Sequence, residues 1–226
     1  MNATIVVFAK APTPGRVKTR MIPPFSPEQA ASFYASMLAD VLETTAGFAQ
    51  RRGIEAVLAV DPPDACGEMA RRAPKCFRVV AQRGPGLSAR MAWALAELAA
   101  AGRDRVLLRG SDSPVLDPTT LDAALDALAD DDLSVCPDLD GGYSLIGLRG
   151  PAPGLFDHPM STSRVLDETL ANARRLGLRP RVLPARFDLD TAADLAQLAR
   201  ARRDGAASSC RRTLAYLDEA SLWPEA

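Results

Sequence analysis

The feature that most constrains this chain is an alternation. Short apolar, β-branched runs take turns with longer amphipathic stretches from the N-terminus almost to the C-terminus. The spacing predicts strands at Thr4–Ala9, Ile54–Val60, Phe77–Gln82, Arg105–Arg109, Leu133–Pro137, Tyr143–Leu148 and Arg181–Phe187. Between them it predicts helices from Pro27 to about Gln50, from Asp64 to Arg72, from a Ser88 cap to near Gly102 and from Asp117-Pro118 onward. Further helices follow a Ser161 or Thr162 cap up to Gly177, then Thr191–Arg203 and Thr213–Ala220. Strands that alternate with helices imply a mostly parallel sheet covered on both faces, a three-layer α/β/α fold. The first strand is apolar throughout, as burial on both faces requires. Ser26-Pro27-Glu28-Gln29 carries a helix start, with Ser at the cap, Pro first in the helix and Gln closing a capping box. The adjacent runs around Gly141 allow an antiparallel edge strand.

The 226 residues suit one well-cored α/β domain, expected over 1–204, with a helical appendage at 205–226 beyond the Asp204–Ser209 linker. Hydrophobic residues make up 47% and charged residues 24%, so disorder and coiled coil do not describe the chain. With 27 basic and 28 acidic residues, nothing suggests a nucleic-acid groove or a membrane surface. The N-terminal apolar run has no basic segment before it and is too short for a signal peptide or a span, so a cytoplasmic location is expected. Cys66, Cys76, Cys136 and Cys210 make no CxxC pair and read as reduced thiols. His158 is the only histidine, which disfavours a histidine base or a histidine-rich metal site.

In open α/β sheets, ligands bind beyond the carboxyl ends of the strands. After the first strand, Lys10, Arg16, Lys18 and Arg20 surround a Pro/Gly turn at Pro12-Thr13-Pro14-Gly15. Such cations donate to phosphate oxygens, although a basic loop can equally be a solvated turn. Its place directly after strand one favours the phosphate reading; the Walker pattern is absent. After strand four, Gly110-Ser111-Asp112-Ser113-Pro114 puts a carboxylate at the sheet edge, suited either to a hard divalent ion or to capping the turn. After the last strand, Asp188, Asp190 and Asp194 follow Phe187; two of these acids could reach the same metal, while Asp190 or Thr191 could simply cap a helix. Asp140 before Gly141-Gly142 is the best candidate base, with a plain turn role equally open.

These loops carry a resemblance. The segments FAKAPTPGRVKTR, GLSARM, GSDSPVLDPTTLDAALDAL, DGGYSLIGL, STSRVLDETLANARRLGL and FDLDTAADL occur in this order from Val6 to about Leu195. Together they resemble a bacterial glycosyltransferase family of GT-A fold, in the nucleotide-diphospho-sugar transferase superfamily, found beside radical-SAM enzymes and linked to arsenosugar biosynthesis. More distantly they are similar to phospholactate guanylyltransferase, molybdenum-cofactor nucleotidyltransferases and CMP-sugar synthetases. The resemblance implies a donor, nucleotide sugar or nucleoside triphosphate, whose phosphates meet Lys10, Gly15, Arg16, Lys18 and Arg20. It implies that Gly86 to Arg90 approach the nucleotide and that Asp112 and Asp190 hold Mg²⁺ or Mn²⁺. Gly141, Gly142 and Tyr143 would then line the side of the sugar or small-molecule acceptor.

The Asp-x-Asp of sugar transferases is missing, because Pro114 stands at its second acidic position. Nucleotidyl transfer to a phosphorylated acceptor, releasing pyrophosphate, is therefore the alternative to glycosyl transfer. The family's usual Trp before Ser-Thr is Met160 here. A catalytically silent nucleotide-binding protein is the reading of another class, and the acids at 112 and 190 argue against it. A serine hydrolase is disfavoured by the missing GxSxG. The oligomeric state is unknown from the sequence.

Overall fold

The first apolar run forms β1 (Ala3–Lys10), buried at every residue but the last. The computed structural model describes residues 2–160 and 162–224. After β1 come α1 (Pro27–Arg52), β2 (Glu55–Asp61), α2 (Cys66–Arg72), β3 (Phe77–Ala81), α3 (Leu87–Ala100) and β4 (Arg105–Gly110). Then follow α4 (Pro118–Ala127), β5 (Leu133–Pro137), β6 (Tyr143–Arg149), α5 (Val165–Arg175), β7 (Pro180–Val182), α6 (Leu195–Arg203) and α7 (Arg211–Glu219). The strands make one seven-stranded sheet in the order β3-β2-β1-β4-β6-β5-β7. Only β6 runs against its neighbours.

Because strand side chains alternate, β1 feeds two cores. Ile5, Val7 and Ala9 pack with Tyr34, Leu38 and Val41 of α1 and Leu121 and Leu125 of α4. Val6 and Phe8 pack with Met91, Leu95 and Leu98 of α3 and Leu170 and Ala173 of α5. This is the expected three-layer α/β/α arrangement. A third cluster joins Phe33 and Met37 of α1 to Leu198 of α6 and Leu217 of α7. There the buried Asp40 accepts from the backbone N–H groups of Arg212 and Thr213 and from the Thr213 hydroxyl, at 2.7–3.0 Å. An aspartate at the first turn of α7 satisfies its free N–H groups and meets the positive end of its dipole.

Local signals account for much of this. Ser26 and Gln29 form the reciprocal capping box at the start of α1, and Asp117 caps α4 through Thr120 N–H at 2.7 Å. Other expectations need correction. The antiparallel strand is not at an edge: β6 lies between β4 and β5, because β5 and β7 add outside it. Ser88 does not cap α3. That helix opens two residues earlier, after Gly86 at φ +88°, and the Ser88 hydroxyl donates to His158 O at 3.2 Å. The last strand is short. Its regular ladder ends at Val182 because Pro184 has no N–H to give. Leu183 and Arg186 still donate to Val135 O and Pro137 O, each at 2.8 Å. For α5, Ser161 lies outside the described residues; Arg164 holds the cap position without a side-chain bond.

Candidate functional site

Strands β1 to β4 are parallel, and β5 points the same way because β6 reverses direction twice over. The loops after β1, β3, β4 and β5 therefore gather at one sheet edge. The 187–191 segment joins them: Leu189 N–H donates to Asp112 O at 3.0 Å, which ties the two aspartate loops by their backbones. Leu189 is buried between Asp188 and Asp190, so extended alternation sends both acids to the opposite side. Asp194 secures this segment by accepting from the N–H of Asp190 at 3.0 Å and of Thr191 at 2.6 Å. Thr191 thus starts the helical turn with Asp194, and the Asp190 side chain takes no part in that cap.

Beneath Asp112 lies a group that the sequence reading missed. Arg109, which follows the VLL run of β4, is wholly buried. Its Nη1 donates to Thr45 Oγ1 at 3.1 Å and its Nη2 to Ser113 O at 3.0 Å, which anchors the Asp112 loop to α1. Burial lowers its pKa to about 10. On the other side of that loop, Ser111 and Tyr34 share a hydrogen bond of 2.8 Å, and the Tyr34 oxygen accepts from Lys10 N–H at 3.0 Å. Burial first, and then the charge of Asp112, raise the Tyr34 pKa, so it stays a neutral phenol.

Lys18 is the hub. It adopts the left-handed conformation at φ +48° before a short 3₁₀ turn, Thr19–Met21. Its side chain is 3% exposed and pairs with Asp112, and Nζ stands 3.5 Å from Asp190 Oδ1. Arg20 closes on the other oxygen of Asp190 at 2.5 Å. The two carboxylates assigned to a metal are thus brought together, with an ammonium between them.

More acid surrounds this pair than the sequence suggested. Burial, then repulsion from Asp140, push Asp188 up to about 6, with Asp190 and Asp112 adding and Lys18 opposing. Asp138 is pushed up to about 8 by burial, then by Asp188, Asp140 and Asp112. Its Oδ1 is buried with no hydrogen-bond partner among the described residues. Asp138 was not singled out from sequence; its only signal was a second acid two residues before Asp140.

The cleft has two lobes. One, of about 630 Å³, is lined by Lys10, Arg16, Lys18, Arg20, Arg90 and Asp112, together with Asp61 and Gln82. The other, of about 610 Å³, is lined by Asp140, Gly142, Tyr143, Asp188 and the apolar Met91, Met160 and Val165. Arg20, Phe8, Leu87, Gly110 and Asp190 border both. Gly15 and Gly141 line neither. Gly15 shapes the basic turn at φ +72°. Gly141, at φ +91°, lets the 138–142 turn touch the chain before α5; a Cβ there would sit 2.0 Å from Ser163 O. Asp140 faces the second lobe while its Oδ1 accepts from Gly142 N–H at 2.8 Å. Burial raises the Tyr143 pKa to about 12, so its phenol is neutral. His158 does not line the cleft; its Nε2 meets Thr169 Oγ1 at 2.9 Å and links its loop to α5.

The site chemistry fits a divalent ion. The donors are carboxylate oxygens, which suit Mg²⁺ or Mn²⁺, and the burial and mutual repulsion that raise Asp138 and Asp188 are what a cation among these acids would relieve. Among the described residues, no three acidic, cysteine or histidine side chains are arranged to enclose an ion on their own.

Fold and site together define an α/β protein of the nucleotide-diphospho-sugar transferase type. A protein of Desulfovibrio desulfuricans G20 assigned to that class superposes with a TM-score of 0.82 at 31% identity, over 96% of this chain and 97% of the other. The chain belongs to the bacterial family DUF2064, described as "uncharacterized protein conserved in bacteria", whose model matches residues 44–163. A phosphoenolpyruvate guanylyltransferase of Sphaerobacter thermophilus is 31% identical over 194 residues, 84% of this chain and 90% of that protein. A CMP:2-keto-3-deoxy-manno-octonic acid synthetase solved with CTP shares the fold alone, at 15% identity and a TM-score of 0.55, over 91% of this chain and all of the other. By these likenesses the chain is a transferase.

Proposed function

We propose that this transferase moves the sugar of a nucleotide-diphospho-sugar donor to a small-molecule acceptor, with Mg²⁺ or Mn²⁺ held by Asp112 and Asp190. The division of the cleft carries this reading. The lobe with Lys10, Arg16, Lys18 and Arg20 suits a diphosphate. The other lobe pairs apolar faces with Asp140 and Asp188, and holds Arg20 as its basic side chain. Carboxylates accept from sugar hydroxyls and apolar side chains cover sugar C–H faces, whereas a second phosphorylated substrate would call for more cations. When bound, the divalent ion would neutralise charge on the phosphates as the donor bond breaks. Lys18 and Arg20 work alongside as fixed cations, already oriented by the aspartates. Asp140, in the acceptor lobe, takes the proton of the attacking hydroxyl. The resemblance to glycosyltransferases found beside radical-SAM enzymes points the same way. The four cysteines are free, in keeping with a reducing cytoplasm.

The guanylyltransferase relative and the missing Asp-x-Asp favour a second reading, transfer of a nucleotide to a phosphorylated acceptor. Product analysis separates the two. Nucleoside diphosphate released from a nucleotide sugar supports the first. Pyrophosphate released from a nucleoside triphosphate selects the second. Nucleotide binding with no turnover of either donor class, across a panel of acceptors, rejects both.

A further inference from the structure

The far end of the basic lobe, away from the carboxylates, carries an arrangement with no part in phosphate or sugar chemistry. Asp61 ends β2, paired in register with Lys10 of β1. Its Oδ2 accepts from Arg90 Nη1 at 2.8 Å. Arg90 is fixed from further sides: its Nε donates to Gly84 O at 3.1 Å and its Nη1 to Gln82 Oε1 at 3.4 Å. Gln82 is itself locked, since its amide nitrogen donates to Ala9 O and Ala59 O at 3.1 and 3.0 Å. This leaves only its oxygen to face Arg90. The result is a carboxylate held in place by a guanidinium, with its oxygens placed to accept from a ligand. The side chains of Asp61 and Arg90 remain about a quarter exposed, at 26% and 27%, so ligand can reach them. Beside them Leu87, 45% exposed, offers an apolar face on which a flat ring can lie.

We propose that Asp61 reads the base of the nucleotide and that the base is guanine. Among the four common bases, guanine alone presents two adjacent donors, N1–H and N2–H₂, on its pairing edge, and a carboxylate accepts both in parallel. Adenine and cytosine each set an acceptor beside their donor, and uracil flanks its single donor with acceptors, so each meets Asp61 with at least one repulsive contact. Position agrees. Asp61 lies two strands from β4, a separation of about 10 Å at the usual strand spacing. A nucleoside can therefore lie across β1 and β2 with its phosphates toward Lys18 and Asp112. This inference rests on the proposed placement of the nucleotide in the basic lobe, and holds for sugar or nucleotidyl transfer alike.

The test is a calorimetric panel of GTP, ATP, CTP, UTP, ITP and XTP on the full chain with Mg²⁺. GTP should bind about ten-fold or more tighter than ATP, CTP or UTP, the worth of a charge-assisted pair of hydrogen bonds. ITP, which lacks the N2 amine, should fall between. Asp61→Asn should lose the preference for GTP and gain affinity for XTP, whose O2 accepts from the new amide. Should that variant fail to fold, the GTP-to-ITP ratio on the natural chain decides alone. Equal affinity for all bases, preference for another base, or GTP and ITP binding alike would overturn the assignment of Asp61 and leave the transferase reading intact. Failure of every nucleotide to bind would overturn both.

Discussion

Replacing Lys18 with Met keeps the length and burial of the side chain and removes one charge from the centre of the acid cluster. In the natural protein that charge touches Asp112 and stands 3.5 Å from Asp190. At an effective dielectric of 20, unit charges at such a distance attract by about 5 kcal/mol. Asp112 and Asp190 are 49% and 36% exposed, so water and salt reclaim much of that attraction. Lys18 itself is desolvated, which offsets more. A net loss of about 2 kcal/mol is expected in the metal-free protein, or about 4–8 °C in melting temperature for a domain of this size. The sign should reverse with a divalent ion. The ammonium would compete with the proposed metal for the same carboxylates, so Mg²⁺ or Mn²⁺ should stabilise Lys18→Met more than the natural chain. Nucleotide affinity should still fall about ten-fold or more, because a phosphate donor is gone. The assay is thermal unfolding by circular dichroism in EDTA and across a Mg²⁺ titration, with calorimetry for nucleotide. A variant that melts with the natural protein in EDTA, or gains no more from Mg²⁺ than it does, would refute this account.

The acids themselves set a pH dependence. Asp138 near 8 and Asp188 near 6 both lie above the ordinary aspartate value of about 3.9, so between those values the folded chain binds more protons than the unfolded one. Stability of the metal-free protein should therefore fall as pH rises from 5 to 8, and Asp138→Asn should flatten the slope; a melt rising with pH over that range would contradict it. Asp112→Asn should abolish metal-dependent nucleotide binding and also lower the stability of the metal-free fold, because the buried Lys18 loses its ion-pair partner, and Asp190→Asn should do the same more weakly because Asp188 stands beside it. A metal-bound complex in which the ion touches neither residue would sink that assignment. His158→Gln should leave turnover within about ten-fold, since His158 bonds Thr169 rather than the cleft; a loss on the order of 10²-fold would mark it as an acid or base.

What the sequence determined by itself is what is written locally. The period of apolar residues set the layers, the Ser26-Pro27 and Asp117-Pro118 starts fixed α1 and α4, and the turn residues after β1, β4 and β5 marked the sheet edge where the cleft is proposed to bind its donor. Such signals act within a few residues, so they survive without knowledge of the rest of the chain. Tertiary structure alone decided which distant groups meet. It put β6 inside the sheet, laid the Asp190 segment against Asp112 through Leu189 N–H, and drove Lys18 between the two acids. It also recruited Asp138 to the cluster and buried Arg109 beneath the loop. Those outcomes depend on strand order, and on the desolvation and repulsion of charges brought close by it. None of these has a period or a neighbouring residue in sequence to announce it.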